Sequence, residues 1–384
     1  MHYIYVSGAI PEELNDALGY SVAGNKFSIN MARAIDDESK GNLTFVSTAS
    51  LPLNVDETSL EIWHGKPMLF AKRGKGFLVN ELILRRNMKK LLLDIIRKHP
   101  GEAISLIIEN SPFASSTAAV SLKKRFGLKL YSITIDTPFT KAFSSKGFAG
   151  RINKMLFACG INSLKKFDGI VSFTEDVKND LQIDIPFCPF LIGCEENDVS
   201  ESAPSVTDGR SAAYAGTLIY YNGICELVEA YAILGDDYKL DIYGYGPLED
   251  FVKEASKKYS NISFKGRFSP AETKEVLSSY DLLINPRIID RSIENYTFPS
   301  KLIDYILTGK SVLTSKFKTL PEDYKEFIYT IDELAPKSIA YAVKSVYAEE
   351  INERKPKAAI GIDYLKENQI YSKQAKKIIK FVEK

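Results

Sequence analysis

The sequence predicts an α/β protein of two domains, each a parallel sheet covered by helices. Three observations carry that expectation. The chain has 384 residues, more than a single hydrophobic core usually organises. Short β-rich runs alternate with helically spaced segments along nearly its whole length. Residues 195–210, rich in Glu, Ser, Asp and Pro and without apolar period, divide that alternation into two halves. The expected organisation is an N-terminal domain over 1–194, a linker over 195–210, a C-terminal domain over 211–371 and a closing helix over 372–384.

In the first half, residues 2–6, 43–47, 104–108, 130–135 and 169–173 read as strands. Segments 26–35, 82–97, 117–126 and 151–167 between them carry helical spacing. In the second half, strands begin near Ser211, Lys239, Asn261, Tyr280, Ser311 and Phe327. No internal repeat or low-complexity tract interrupts the pattern. The segment 82–98 sets Leu84, Met88, Leu91, Leu92 and Ile95 among Arg85, Arg86, Lys89, Lys90, Arg97 and Lys98. Such an amphipathic basic helix either turns its apolar stripe to a core or lies on an anionic membrane surface.

Charge is balanced overall, at +1, but unevenly placed. Between Lys66 and Lys154 there are eighteen Lys/Arg against five Asp/Glu, whereas the chain after Cys194 has 26 against 30. The asymmetry points to an anionic partner for the first domain. A membrane surface fits better than nucleic acid, since no nucleic-acid recognition motif accompanies the charge. The four cysteines (Cys159, Cys188, Cys194, Cys225) have neither Cys-x-x-Cys spacing nor partner histidines, and read as buried thiols of a reducing compartment. The first residues lack a basic flank and a long apolar run, and no stretch approaches the ~20 apolar residues of a membrane span. The expected location is cytoplasmic, with peripheral attachment at the inner membrane face as an option.

The densest chemistry lies in Asn285-Pro286-Arg287 and in the run from Asn295 through Pro299-Ser300-Lys301 and Asp304 to Gly309 and Leu313. It reads as strand end, loop, short helix, glycine stop and next strand. Pro299 suits a first helical turn, Thr297 a cap before it, and Gly309 a left-handed stop. Such a helix start favours an anion, and Lys301 adds a full charge there. Asp304, one turn on, is placed to accept bonds from sugar hydroxyls. The bland alternative is a capped helix whose Lys301 and Asp304 form a surface pair. Arg287 either helps neutralise a diphosphate or pairs with Asp290.

These residues resemble the donor-binding signature of the family 4 (group 1) glycosyltransferases. Tyr214-Ala215-Gly216 with Asn222-Gly223, Leu240 through Gly244-Tyr245-Gly246-Pro247, Asn261 through Gly266, and Tyr280 through Arg287 resemble successive strands of the same domain, in the same order. The resemblance covers roughly 211–330 and implies the GT-B fold, two Rossmann-like domains facing across a cleft, with the last helix crossing back to the first domain. It implies transfer of a sugar from a UDP- or GDP-linked donor to a hydroxyl of a glycan or lipid-linked glycan. Retention of stereochemistry and a role in surface polysaccharide synthesis come with it, and the nucleotide sugar is a co-substrate, with no cofactor expected. No Asp-x-Asp metal motif is present, so a metal-independent reaction is expected. The third glycine of a dinucleotide fingerprint is replaced by Glu249, which argues against nicotinamide binding.

Carried over residue by residue, the resemblance marks Gly24, Gly216, Gly244, Tyr245, Gly246, Arg287, Asn295, Pro299, Ser300, Lys301 and Asp304 for the donor. Gly24, in Ser21 through Ser28, resembles the family's glycine loop; a plain turn is the alternative. Asp136, at a strand's C-terminal end, stands where relatives often present a histidine, and is the candidate contact or base for the acceptor hydroxyl. Glu109-Asn110 ends the strand before it and is a similar candidate; either acid could instead cap a helix. The sequence also departs from the family. Two acids usually lie eight positions apart, but Tyr296 stands eight before Asp304, leaving Glu294 as the candidate sugar-contacting acid. Thr217 and Asn222 stand where relatives often carry phosphate-binding cations, leaving Lys301 and Arg287 to hold the departing diphosphate. Two rival readings stay open: a nucleotide-sugar epimerase of the same architecture, and a non-catalytic partner of an active transferase.

Overall fold

In a computed structural model, the described residues are 1–14, 22–51, 60–63, 65–74, 77–135, 147–200, 202–207, 209–269, 272–289, 294–296 and 298–384. Asp136, Thr297, Asp290 and His64 lie outside them. The chain forms two compact units divided between Gly193 and Cys194, with Tyr371–Lys384 and the turn containing Asn295 and Tyr296 belonging to the first.

The first unit holds a seven-stranded sheet in the order β5-β2-β1-β6-β7-β8-β9. Its strands are β1 (His2–Ser7), β2 (Leu43–Ser47), β5 (Leu69–Phe70), β6 (Ile104–Glu109), β7 (Lys129–Thr134), β8 (Gly169–Ser172) and β9 (Phe187–Pro189). Every pairing is parallel. β1 and β6 are buried at all six positions, which is why each reads as a nearly continuous apolar run. A small antiparallel pair, β3 (Glu61–Trp63) and β4 (Lys66–Pro67), precedes β5.

Helices cover this sheet, and their boundaries follow local chemistry. The helix Phe113–Phe126 begins four residues earlier than its apolar spacing suggested. It ends where Gly127 adopts φ 64° and donates its N–H to Lys123 O, with Lys123, Lys124 and Arg125 at the negative end of the dipole. The basic helix spans Phe77–Lys98. Its Leu84, Met88, Leu92 and Ile95 are buried in the core of the unit, so the apolar stripe is used internally and the exposed face carries Arg86, Lys90, Arg97 and Lys98. The last helix, Tyr371–Val382, lies on the same unit. Tyr131 OH donates to Val382 O at 3.0 Å, Tyr3 OH to Glu383 Oε1 at 2.8 Å, and the Phe381 ring lies edge-on to Tyr131.

The second unit is a six-stranded parallel sheet in the order β12-β11-β10-β13-β14-β15. The strands are β10 (Ser211–Ala215), β11 (Lys239–Tyr243), β12 (Ile262–Gly266), β13 (Leu282–Asn285), β14 (Ser311–Ser315) and β15 (Tyr329–Ile331). The order reverses between β10 and β13, the switch point beyond whose strand ends open α/β sheets bind ligands.

Segment 195–210, expected to be a linker, packs into this unit. It opens with the helix Glu196–Ser200, and Val199 and Val206 are buried. Ser205 donates its N–H to Gly309 O at 2.9 Å and its hydroxyl to Thr308 O at 2.8 Å, while Lys310 Nζ donates to Ser205 O at 2.5 Å. Its polar composition serves carbonyls at a helix end, which is why it looked like a solvated connection.

Candidate donor site

The helix after β13 differs from its expected form in one respect. It runs Lys301–Leu307, starting two residues beyond Pro299, and Ser300 at its cap makes no side-chain capping bond. Pro299 is buried, and its carbonyl accepts Leu302 N–H at 2.9 Å, closing the first turn in its own way. Gly309 stops the helix at φ 68°, donating to Ile306 O, as its position suggested. Seven residues make a weak dipole, so the positive character of this helix start comes from the Lys301 side chain.

Lys301 lies at the switch point. Its Nζ donates to Tyr214 OH at 3.1 Å and sits 4.3 Å from the centre of that ring. Tyr214 OH in turn donates to Thr217 O at 3.1 Å, and Asn222 Nδ2 donates to the same carbonyl at 2.7 Å. Thr217 and Asn222 therefore hold the loop after β10 together rather than presenting charge. Tyr305 braces the strand end from the other side, accepting Ala215 N–H at 3.0 Å. Crowding by the protein, together with the nearby Arg287 guanidinium, pulls the Lys301 ammonium down to about 7, with Asp304 opposing the shift. The amine form that this shift leaves populated is poised to gain a proton when an anion arrives.

Two glycines make the arrangement possible. At Gly216, φ is 154°, and a Cβ would stand 2.3 Å from Lys301 Nζ. At Gly244, φ is 142°, and a Cβ would stand 1.8 Å from Gly216 O. Only glycine lets the ends of β10 and β11 approach each other and the ammonium together. Gly216→Ala should displace Lys301 and weaken nucleotide binding on the order of 10- to 100-fold. A thermal melt and a nucleotide titration of the same variant check this, since unchanged affinity would remove Gly216 from the site.

These residues line a pocket of about 300 Å³ together with Thr217, Tyr245, Arg267 and Asp304. Tyr245 is half exposed, with the Arg267 guanidinium 3.9 Å from its ring centre. The pocket thus offers a recessed cation, a solvent-facing carboxylate one turn along the same helix, and an aromatic–guanidinium rim. This chemistry suits a diphosphate, vicinal hydroxyls and a flat base respectively.

Of the residues singled out in the sequence, Gly216, Gly244, Tyr245, Lys301 and Asp304 come together here. Arg287 follows β13 close enough to act on Lys301 but does not line the pocket. Gly246 turns the chain into the helix Glu249–Lys258, its carbonyl accepting Glu249 N–H. Ser300 is exposed and Pro299 buried, and neither lines the pocket. Asn295 is not brought here: its side chain donates to Asp180 Oδ2 at 2.7 Å, and the neighbouring Tyr296 belongs to the core of the first unit. Burial of Tyr296 sets the direction of that turn. Glu294 opens the same turn (Glu294–Tyr296), and its side chain is outside what is described. Gly24 lies within the helix Val22–Glu38 of the first unit rather than before it.

Arg267 escaped the sequence reading. It is the first residue beyond β12, and the rule that ligands meet strand C-terminal ends would have found it. Glu109 is buried at the end of β6, accepting Tyr5 OH at 2.5 Å and Ser28 Oγ at 2.7 Å. Among the described residues one trio, His2, His99 and Glu102, brings possible metal-ligand atoms within 4.8 Å of one another. The two imidazoles are stacked 3.6 Å apart at 17°, so their in-plane lone pairs run side by side instead of converging on one ion.

A doubly wound sheet with this pocket at its switch point has the architecture of one half of a GT-B fold. Residues 196–361 match the glycosyl transferases group 1 family. No curated protein matches its sequence. Among solved structures it is similar to HepE of Anabaena in complex with UDP, at 12% identity and TM-score 0.68, covering 100% of both chains. Sucrose-phosphate synthase from Thermosynechococcus elongatus is similar at 13% identity and TM-score 0.68, covering 100% of this chain and 98% of that one. WaaG, a glycosyltransferase involved in lipopolysaccharide biosynthesis, is similar at 13% identity and TM-score 0.61, covering 99% of each. At these identities the likeness is one of fold.

Proposed function

We propose that the pocket of the second unit binds a UDP- or GDP-linked hexose, which the enzyme transfers to a hydroxyl of a glycan or lipid-linked glycan. The single observation that carries this reading is the Lys301 ammonium, held against the glycine-lined ends of β10 and β11. Lys301, with Arg287 behind it, would take the diphosphate charge that develops as the glycosidic bond breaks. Asp304 would accept the ribose hydroxyls, and Tyr245 with Arg267 would flank the base. Glu294 remains the candidate acid for the transferred sugar, and Asp136 the candidate contact or base for the acceptor hydroxyl. With side-chain cations serving the leaving group, the reaction would need no metal, and by family resemblance it would retain the anomeric configuration.

A role in surface polysaccharide synthesis at the cytoplasmic membrane face fits the basic region over 66–154. Among the described residues no helix is long and apolar enough to cross a membrane. Because Leu84, Met88, Leu92 and Ile95 face the core, attachment would rest on exposed charges, among them Arg86, Lys90, Arg97, Lys98 and Lys124. Binding to anionic vesicles in flotation should therefore appear at low salt and vanish once the Debye length falls well below about 10 Å. Salt-resistant binding, or none at low salt, would exclude this mode.

The reading as a whole is tested by calorimetric titration with UDP, GDP and their glucose, galactose and mannose conjugates, followed by product analysis with a glycan acceptor. Selective binding and transfer are expected. Donor converted to an isomer without acceptor would favour an epimerase, and binding without any turnover a non-catalytic partner.

A further inference from the structure

A hydrogen-bonded string of side chains leads from the wall of the donor pocket to the surface. Tyr280, just before β13 and 8% exposed, donates its hydroxyl to Asp241 Oδ2 at 2.7 Å. Its oxygen lies 2.6 Å from the Tyr243 hydroxyl. At the exposed end, Lys265 Nζ is 3.3 Å from Asp241 Oδ2. Asp241 and Tyr243 stand two positions apart on β11, so their side chains share one face of the sheet. The direction of the bonds follows from counting protons. A phenol has one, and that of Tyr280 goes to the carboxylate. Tyr243 is therefore the donor in the bond between the two phenols. Burial, reinforced by both bonds, pushes the Tyr280 phenol far above its usual range, so the string stays intact at neutral pH and well beyond.

Tyr243 is the member of this string that lines the pocket. Phe268 lines it too, and the two rings meet 5.1 Å apart at 62°. Phe268 follows Arg267, whose guanidinium covers the Tyr245 ring, and Leu277 adds an apolar group to the same lining. Rings and apolar carbon suit a flat base, not a phosphate. We propose that Tyr280 and Asp241 are positioning residues for the base of the nucleotide: acting through Tyr243, they fix the ring wall against which the base lies. This role rests on the reading of the pocket as a donor site. A ring held only by packing is free to change rotamer, whereas one also tied at its hydroxyl is fixed at both ends. A wall fixed in advance has less freedom to lose when the ligand arrives. The buried polar groups satisfy one another, so the string stiffens the wall without leaving an unpaired group beneath it.

Calorimetric titration of the wild type and Tyr280→Phe with UDP, GDP and inorganic pyrophosphate tests this role. Pyrophosphate presents the diphosphate without a base. Loss of the one hydroxyl should weaken the better-bound nucleotide roughly three- to tenfold, as expected for one hydrogen bond, and leave pyrophosphate within about twofold. Asp241→Asn keeps an acceptor for Tyr280 and should show the same pattern at smaller size, which keeps the test open if the first variant does not fold. Equal loss for nucleotide and pyrophosphate would mark a merely structural role. Undiminished nucleotide affinity in Tyr280→Phe would overturn the assignment. A second readout needs no ligand. Couplings of the Tyr243 β protons should report one χ1 rotamer in the wild type and averaging in Tyr280→Phe. If no nucleotide binds the wild type, the donor reading falls. Averaging in the variant would then still show that the string fixes the cavity wall, and an unaveraged rotamer would overturn that as well.

Discussion

Lys301→Ala should weaken binding of the nucleotide sugar by about 2–3 kcal/mol, roughly 30- to 150-fold, because a charge-assisted contact to the diphosphate is lost. Turnover should fall further, on the order of 10²- to 10³-fold, since negative charge on the diphosphate grows as the sugar departs. The pH dependence distinguishes this role from a packing role. The Lys301 ammonium sits at about 7 in the free protein, lowered chiefly by burial. A bound diphosphate stabilises the charged form and raises the value. The contribution of Lys301 to affinity is therefore complete below pH 7 and lost as pH rises through the higher value of the complex. At pH 8, binding should take up close to one proton, measurable by calorimetry in two buffers of different ionisation enthalpy. A nucleotide sugar is the proper titrant, because its esterified diphosphate has no proton to lose in this range. Lys301→Ala should abolish the uptake. Lys301→Arg, charged at every relevant pH, should abolish it while retaining part of the affinity. Unchanged uptake in both variants would assign the proton elsewhere.

Glu109→Gln should flatten the pH dependence of the first unit's stability. Burial is the largest influence on this carboxyl and lifts it from 4.5 to about 7, against the Tyr5 and Ser28 hydroxyls, which favour the charged form. The folded-state value is raised, so the stabilising contribution is complete below pH 4.5 and disappears as pH climbs through 7. Across that window the wild type should lose on the order of 3 kcal/mol, taking 1.36 kcal/mol per unit as the conversion. Glutamine cannot ionise, and its carbonyl can still accept from one hydroxyl. The variant should match or exceed the wild type at pH 8 and lose its advantage at pH 5. Hydrogen exchange of the amides in β1 and β6, followed at both pH values, reads this in the first unit alone. A variant less stable than the wild type at pH 8 would mean that the ionised carboxylate is better satisfied than its burial implies.

Much of the fold was legible because buried parallel strands announce themselves as apolar runs. β1, β2, β6, β7 and β8 fall where their β-branched and aromatic residues lie. The two- and three-residue strands β3, β4, β5 and β9 gave no such signal, since a strand that short has no period to display. In the candidate site, Lys301 and Asp304 could be read from spacing, as could the glycines, because a turn and a close approach demand particular residue types. What the sequence hid was direction. Asn295 looked like part of the donor loop until burial of Tyr296 turned its amide to Asp180. Thr217 and Asn222 looked like missing cations, whereas their bonds hold the loop on which Lys301 relies.

The route of the chain carries a lesson for anyone wishing to exchange donor specificity between such enzymes. After residue 193 the polypeptide enters the second unit, returns to the first at Asn295 and Tyr296, and leaves the second for good at Tyr371. A chimera spliced at one junction near residue 194 would supply a foreign Tyr296 and a foreign final helix to the first unit's core. Buried Ile378, Ile379 and Val382 would then meet a surface that did not evolve with them. A transplant that respects the molecule keeps the host sequence at the Glu294–Tyr296 turn and from Tyr371 onward. The cassette that can be exchanged is discontinuous in sequence, although it is compact in space.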